Sequence, residues 1–129
     1  MPVVIDYSAL VELLIHGERA PAVLQAVGNT DMVAPDGINA EVLSTLRRFE
    51  RTGKLPAKRA SQAVEDLLDA DVRRFSTLAL LPAVWALRAN VTAYDACYVA
   101  LAQALGCTLV TADLKLSRAP GLGVPLITV

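Results

Sequence analysis

Short β-branched runs alternate with helical stretches along almost the whole chain. That alternation constrains the fold more than any other feature of the sequence. Val3-Val4-Ile5 is the first such run, and Asp6-Tyr7-Ser8 then opens a helix over 9–15. A second helix begins at Pro21 and stops at Gly28-Asn29. The run at 32–34 ends in Pro35-Asp36-Gly37, and a helical pattern covers 39–51. Pro56 opens a helix in which Ala60, Ala63, Val64, Leu67 and Leu68 form an apolar stripe. A strand is expected over 75–80, followed from Pro82 by a short helix carrying Trp85. Thr92 starts a strong helix that runs to Leu105 and ends at Gly106. Residues 108–112 are the next strand, Asp113 opens a short helical turn, and 125–129 form the last strand. Strands separated by helices cannot pair as hairpins, so they line up in parallel with the helices packed on both faces. The expectation is a three-layer α/β/α sandwich around a central parallel sheet. The chain has 129 residues, which suits one domain over 1–129.

A hydrophobic fraction of 54% supplies a core and leaves a surplus for an apolar patch that a partner would cover. The apolar run 78–84, which contains Pro82, is far short of the roughly 20 residues of a membrane span. Met1-Pro2-Val3 leads into a strand without a basic leader, so a cytoplasmic location is expected. Cys97 and Cys107 form no CxxC pair, and His16 is the only histidine, which leaves too few soft ligands for zinc. Both cysteines lie in apolar contexts and read as core thiols. Cys–His and Ser–His–Asp schemes would both need His16, which sits near the end of a helix and reads as a C-terminal helix residue.

Four carboxylates stand where the chain leaves a strand or opens a helix. They are Asp6 in VVIDYSAL, Glu41 in INAEVLSTL, Asp95 in TAYDACYVALA and Asp113 in LVTADLKL. Each alone has a structural explanation: Asp6 and Asp113 as helix N-caps, Asp95 in a capping box with Thr92, Glu41 as a complement to a helix dipole. Together they mean more, because an open α/β sheet gathers its functional groups beyond the carboxyl ends of its strands. Glu41 and Asp95 also lie in stretches of small or apolar residues, and no basic residue stands within four positions of Asp95. A shared acidic pocket calls for a hard divalent cation. Asp36 lies in a turn that favours Asp, and is left outside the site.

A net charge of −1 carries no global signature of nucleic-acid binding. Basic residues are clustered locally. Arg47, Arg48, Arg51, Lys54, Lys58 and Arg59 surround the turn between two helices, and Lys115 and Arg118 lie near Asp113. A solvated surface and a phosphate-binding one are both compatible with that pattern.

The ordered set strand-D-x-S-A, P-x3-N-A-E-V, T-A-Y-D-A-x-Y-x-A-L-A and L-V-T-A-D-x-x-L resembles the PIN-domain ribonucleases, and more narrowly the VapC toxins of toxin–antitoxin pairs. The resemblance spans Val3 to Val129. It implies a metal site lined by Asp6, Glu41, Asp95 and Asp113, with Ser8 and Thr111 as supporting hydroxyls. It implies Mg²⁺, with Mn²⁺ also active, and a metal-activated water that hydrolyses RNA to a 5′-phosphate and a 3′-hydroxyl. Arg47, Arg48, Arg51, Lys54 and Lys115 become candidate RNA contacts. Asn39 falls where many relatives carry another residue and receives no catalytic role. The same likeness implies a homodimer, and a VapB-like antitoxin lying in an apolar groove for which the helices at 9–15 and 39–51 are candidates. A haloacid dehalogenase phosphatase would need D-x-D, but position 8 is Ser. A Rossmann domain would need G-x-G-x-x-G after the first strand, which is absent. The competing reading is a non-catalytic RNA-binding or antitoxin-docking module on the same fold, which would not depend on the acids. The RNA target is left open.

Overall fold

A computed structural model describes residues 1–129. Five strands, β1 (Val3–Ile5), β2 (Met32–Pro35), β3 (Val72–Phe75), β4 (Leu109–Thr111) and β5 (Leu126–Thr128), form one sheet in the order β3-β2-β1-β4-β5. All pairings are parallel. The helices are α1 (Tyr7–Leu14), α2 (Ala20–Val27), α3 (Ile38–Arg51), α4 (Ala57–Asp69), α5 (Leu81–Ala86), α6 (Ala93–Leu105) and α7 (Leu114–Arg118). They flank the sheet, giving the expected α/β architecture.

β1 and β4 sit centrally and every residue in them is buried. This is why both read as unbroken apolar runs. The chain leaves β1 toward β2 on one side, and β4 returns on the other. That reversal between β1 and β4 is a topological switch point, where strand ends open a crevice. α6 packs on β1, β2 and β4 and buries Ala96, Tyr98, Val99, Ala100, Leu101 and Ala102. Gly106 ends it at φ +64, a left-handed C-cap that glycine adopts without a side-chain clash.

Three expectations need correction. The strand expected over 75–80 lies instead at Val72–Phe75, while Leu78–Leu80 form a 3₁₀ turn. β3 is a sheet edge with Arg73 exposed, so its apolar signal is half missing. The apolar run after it faces outward, with Leu78 74% exposed. The apolar stripe of α4 is also narrower than its spacing predicts. Ala60, Ala63 and Leu67 are buried, but Val64 is half-buried and Leu68 is 80% exposed. Finally, the helix at 9–15 offers no open groove, because Ala9, Leu10, Val11 and Leu14 all fill the core.

Candidate active site

The acidic site is built outward from Asp6. This residue ends β1, caps α1 and is fully buried. One carboxylate oxygen accepts from the Ala9 backbone N–H at 3.0 Å and from the Ser8 hydroxyl at 2.7 Å. The other accepts from the Thr111 hydroxyl at the end of β4. The same two hydroxyls reach further. Ser8 Oγ accepts from the Ala112 N–H at 2.9 Å, and Thr111 Oγ1 accepts from the Asp113 N–H at 2.9 Å. This chain of bonds ties the ends of β1 and β4 together and fixes Asp6 against rotation. Burial, helped by the charge of nearby Asp113, raises the Asp6 carboxyl to about 6, even though the hydrogen bonds from Ser8, Thr111 and Ala9 pull it down.

The other three acids arrive from separate elements. Glu41, in the first turn of α3, accepts a 2.7 Å hydrogen bond at Oε1 from the hydroxyl of buried Tyr98 on α6. Its carboxyl is raised by burial, and then by the charges of Asp95 and Asp6. Asp95, in the first turn of α6, is raised by burial and by Asp113, with Lys115 acting in the opposite sense. Asp113 caps α7 by accepting from the Lys115 N–H at 2.8 Å. Tyr7 shows that the four share one neighbourhood. Its half-buried phenol is raised first by burial, and then by Asp113, Asp6, Asp95 and Glu41 together.

The donor chemistry fits a hard divalent cation. Every donor is a carboxylate oxygen, and no cationic side chain acts on Asp6 or Glu41. The placement is open: no group of three or more His, Cys, Asp or Glu side chains closes tightly enough to hold an ion as it stands. Ser8 and Thr111 are the two side chains that donate to the Asp6 carboxylate.

Two clefts flank the acids. One, of about 390 Å³, lies between α3 and α6 and brings Glu41 together with Tyr7, Ser44, Arg48 and Tyr94. The other, of about 430 Å³, brings Asp95 together with Arg88, Asn90, Thr92 and Lys115. Among the predicted basic contacts, Arg48 and Lys115 therefore border the acids, and Arg47 and Arg51 line an adjoining depression with Ser44 and Thr52. Lys54 is engaged elsewhere, its ammonium 4.0 Å from the centre of the Phe49 ring. Asp36 is exposed and is absent from the charges that act on Asp6, Glu41 and Asp95. Asn39 accepts from Arg74 at 3.1 Å in an apolar cleft between α3 and α4, away from the acids.

No motif in the sequence assigns a role to Tyr7, Tyr94, Tyr98 or Arg88. The available signal is the placement of Tyr94 and Tyr98 four residues apart around Asp95. That spacing puts both on one side of a helix, within a stretch otherwise made of small residues.

Comparison with known proteins accords with this geometry. A family model described as PIN domain matches residues 3–122. Ribonuclease VapC3 of Mycobacterium tuberculosis is 40% identical over 118 residues, covering 91% of this chain and 86% of its own. Ribonuclease VapC9 of the same species is 35% identical over 127 residues, covering 98% of both. Among solved structures, a chain of VapBC2 from Rickettsia felis, bound to a promoter DNA fragment, superposes with a TM-score of 0.69 at 17% identity, covering 99% of this chain and 98% of that one. VapC20 of M. tuberculosis, a toxin that cleaves the sarcin–ricin loop, superposes with a TM-score of 0.67 at 19% identity, covering 89% and 92%.

Proposed function

The chain belongs to the PIN-domain family, among the VapC ribonucleases, and from that premise we propose that it is the toxin of a type II toxin–antitoxin pair, an endoribonuclease that hydrolyses RNA phosphodiester bonds with Mg²⁺ or Mn²⁺. The observation that carries the reading is the fully buried Asp6 carboxylate, tied through Ser8 and Thr111 to the Asp113 backbone at the end of β4, with Glu41 and Asp95 presented from the first turns of α3 and α6. Carboxylates gathered in one half-buried neighbourhood, with no cationic side chain acting on Asp6 or Glu41, are costly to ionise without a cation.

Asp6, Asp95, Asp113 and Glu41 would hold the ion. When bound it would lower the pKa of water and stabilise charge on the reacting phosphate. The chain's own residues do the rest. Ser8 and Thr111 lock Asp6, Tyr98 holds one oxygen of Glu41, and the first turn of α7 holds Asp113. Arg47, Arg48 and Arg51 on one side and Lys115 on the other position phosphates without selecting bases. The products are a 5′-phosphate and a 3′-hydroxyl.

Residues 1–129 act as a single PIN domain, working in the cytoplasm where its RNA is found. The antitoxin is a VapB-like protein that inserts an apolar segment into the cleft between α3 and α4, lined by Leu43, Val64, Leu67 and Leu68 with Arg74 at its polar end. The exposed Leu78, Leu81 and Trp85 near α5 support a homodimer that buries them.

The test is cleavage of end-labelled RNA by purified protein. Mg²⁺ or Mn²⁺ should support cleavage, while EDTA or Asp6→Asn should abolish it. Metal-independent cleavage, or full activity in Asp6→Asn, would sink the proposal.

A further inference from the structure

We propose that Tyr94 is the stacking platform of a base subsite on the α3 side of the acids, taking up the base of a nucleotide that flanks the scissile bond. The inference deepens the ribonuclease reading and rests on it.

Thr92 caps α6 by accepting from the Asp95 N–H at 3.2 Å, which fixes the first turn of that helix. Successive helical residues point about 100° apart. Asp95 therefore turns inward, half-buried, while Tyr94 remains 70% exposed. A solitary exposed aromatic needs no explanation. Tyr94 differs in its place, because it lines the same cleft as Glu41, Ser44 and Arg48. That cleft offers an aromatic face, a hydroxyl and a guanidinium directly beside a catalytic carboxylate. The opposite cleft offers Arg88, Asn90 and Lys115 and no aromatic side chain. The exposed Trp85 lies outside both clefts, with the Arg88 guanidinium 4.6 Å from its ring centre. A strand crossing the acids thus meets aromatic rings, exposed Tyr94 and half-buried Tyr7, on the α3 side, and on the other side a guanidinium that is already stacked against Trp85. Bases within a duplex are already stacked on each other, so a side-chain ring takes up only a base that has left the stack.

The experiment uses short single-stranded oligoribonucleotides carrying 2-aminopurine, bound with Mg²⁺ to protein carrying Asp113→Asn. Asn is as good a helix cap as Asp, so this background should fold while cleaving poorly. Binding should quench the fluorophore. Adding Tyr94→Ala should remove the quench and weaken binding roughly ten-fold, and Tyr94→Trp should retain both. A fully paired duplex should bind without Tyr94 dependence. Unchanged binding and quenching in Tyr94→Ala would overturn the subsite, as would failure of any single strand to bind. If Tyr94→Ala leaves RNA binding intact but weakens binding of the cognate antitoxin, Tyr94 belongs to a protein interface and the base subsite is wrong. If Tyr94-dependent quenching is observed but the unmutated protein cleaves no RNA with Mg²⁺ or Mn²⁺, the subsite stands and the ribonuclease reading falls.

Discussion

The hydroxyl of Tyr98 on α6 donates a 2.7 Å hydrogen bond to Oε1 of Glu41 on α3. The tyrosine is fully buried, so this bond joins the core directly to the acidic centre. It leaves the second Glu41 oxygen available to a cation.

Tyr98→Phe should keep the ring packed and lose only this contact. Positioning groups behind metal ligands are worth 10–100-fold in affinity or activity, so cleavage should fall by about ten-fold or more. The melting temperature should drop modestly, in keeping with about 1–3 kcal/mol for a hydrogen bond to a charged group. Steady-state cleavage together with denaturant melts separates the two effects. Unchanged cleavage would show that Glu41 needs no such support.

Thr111→Val tests the β1–β4 tie. The substitution removes the donor to Asp6 and the acceptor for the Asp113 N–H while preserving shape. Metal affinity, read by titration calorimetry with Mn²⁺, should weaken by about 10-fold or more. A variant that binds Mn²⁺ as tightly as the parent would argue against this positioning role.

Metal-free protein should lose stability as pH rises from about 4 to 6. The Asp6 carboxyl moves from 3.8 to about 6 on folding, so the folded state holds its proton more tightly than the unfolded chain. As pH climbs through that window the unfolded state ionises first, and stability declines by roughly 3 kcal/mol before levelling off. Burial acts in the same direction on Glu41 and Asp95. Urea midpoints in EDTA should show the decline, and Mg²⁺ at neutral pH should reverse it. A midpoint that rises over the same window would contradict the assignment.

Arg48→Ala and Lys54→Ala should differ. Both cations lie over Phe49, the Lys54 ammonium at 4.0 Å and the Arg48 guanidinium at 5.5 Å, but only Arg48 also lines the Glu41 cleft. Arg48→Ala should weaken RNA binding and reduce the salt slope of log K by about 0.7, the share of one phosphate contact on a single strand. Lys54→Ala should leave that slope nearly unchanged. Equal slopes for both variants would mean that the cleft is not the phosphate path.

Much of the fold is legible because its signals are local. Val3–Ile5 and Leu109–Thr111 are buried on both faces and so read as continuous apolar strands. Thr92 and Gly106 mark the two ends of α6 as their backbone preferences require. The edge strand Val72–Phe75 is less legible. With solvent on one flank, Arg73 and Arg74 replace the apolar residues that would announce it. The exposed Leu68 and Leu78 mislead in the opposite direction, since in the sequence an exposed apolar residue looks the same as a buried one.

The sequence by itself determined which acids stand at strand ends and helix starts, and the order in which they occur. Those are matters of neighbouring residues, turn chemistry and caps. Only the tertiary structure decided that Tyr98 holds Glu41, that Thr111 locks Asp6, and that Arg48 rather than Lys54 lines the Glu41 cleft. Each of these depends on which strands lie side by side and how α6 crosses the sheet. Such contacts join residues far apart in the chain, and no local spacing encodes them.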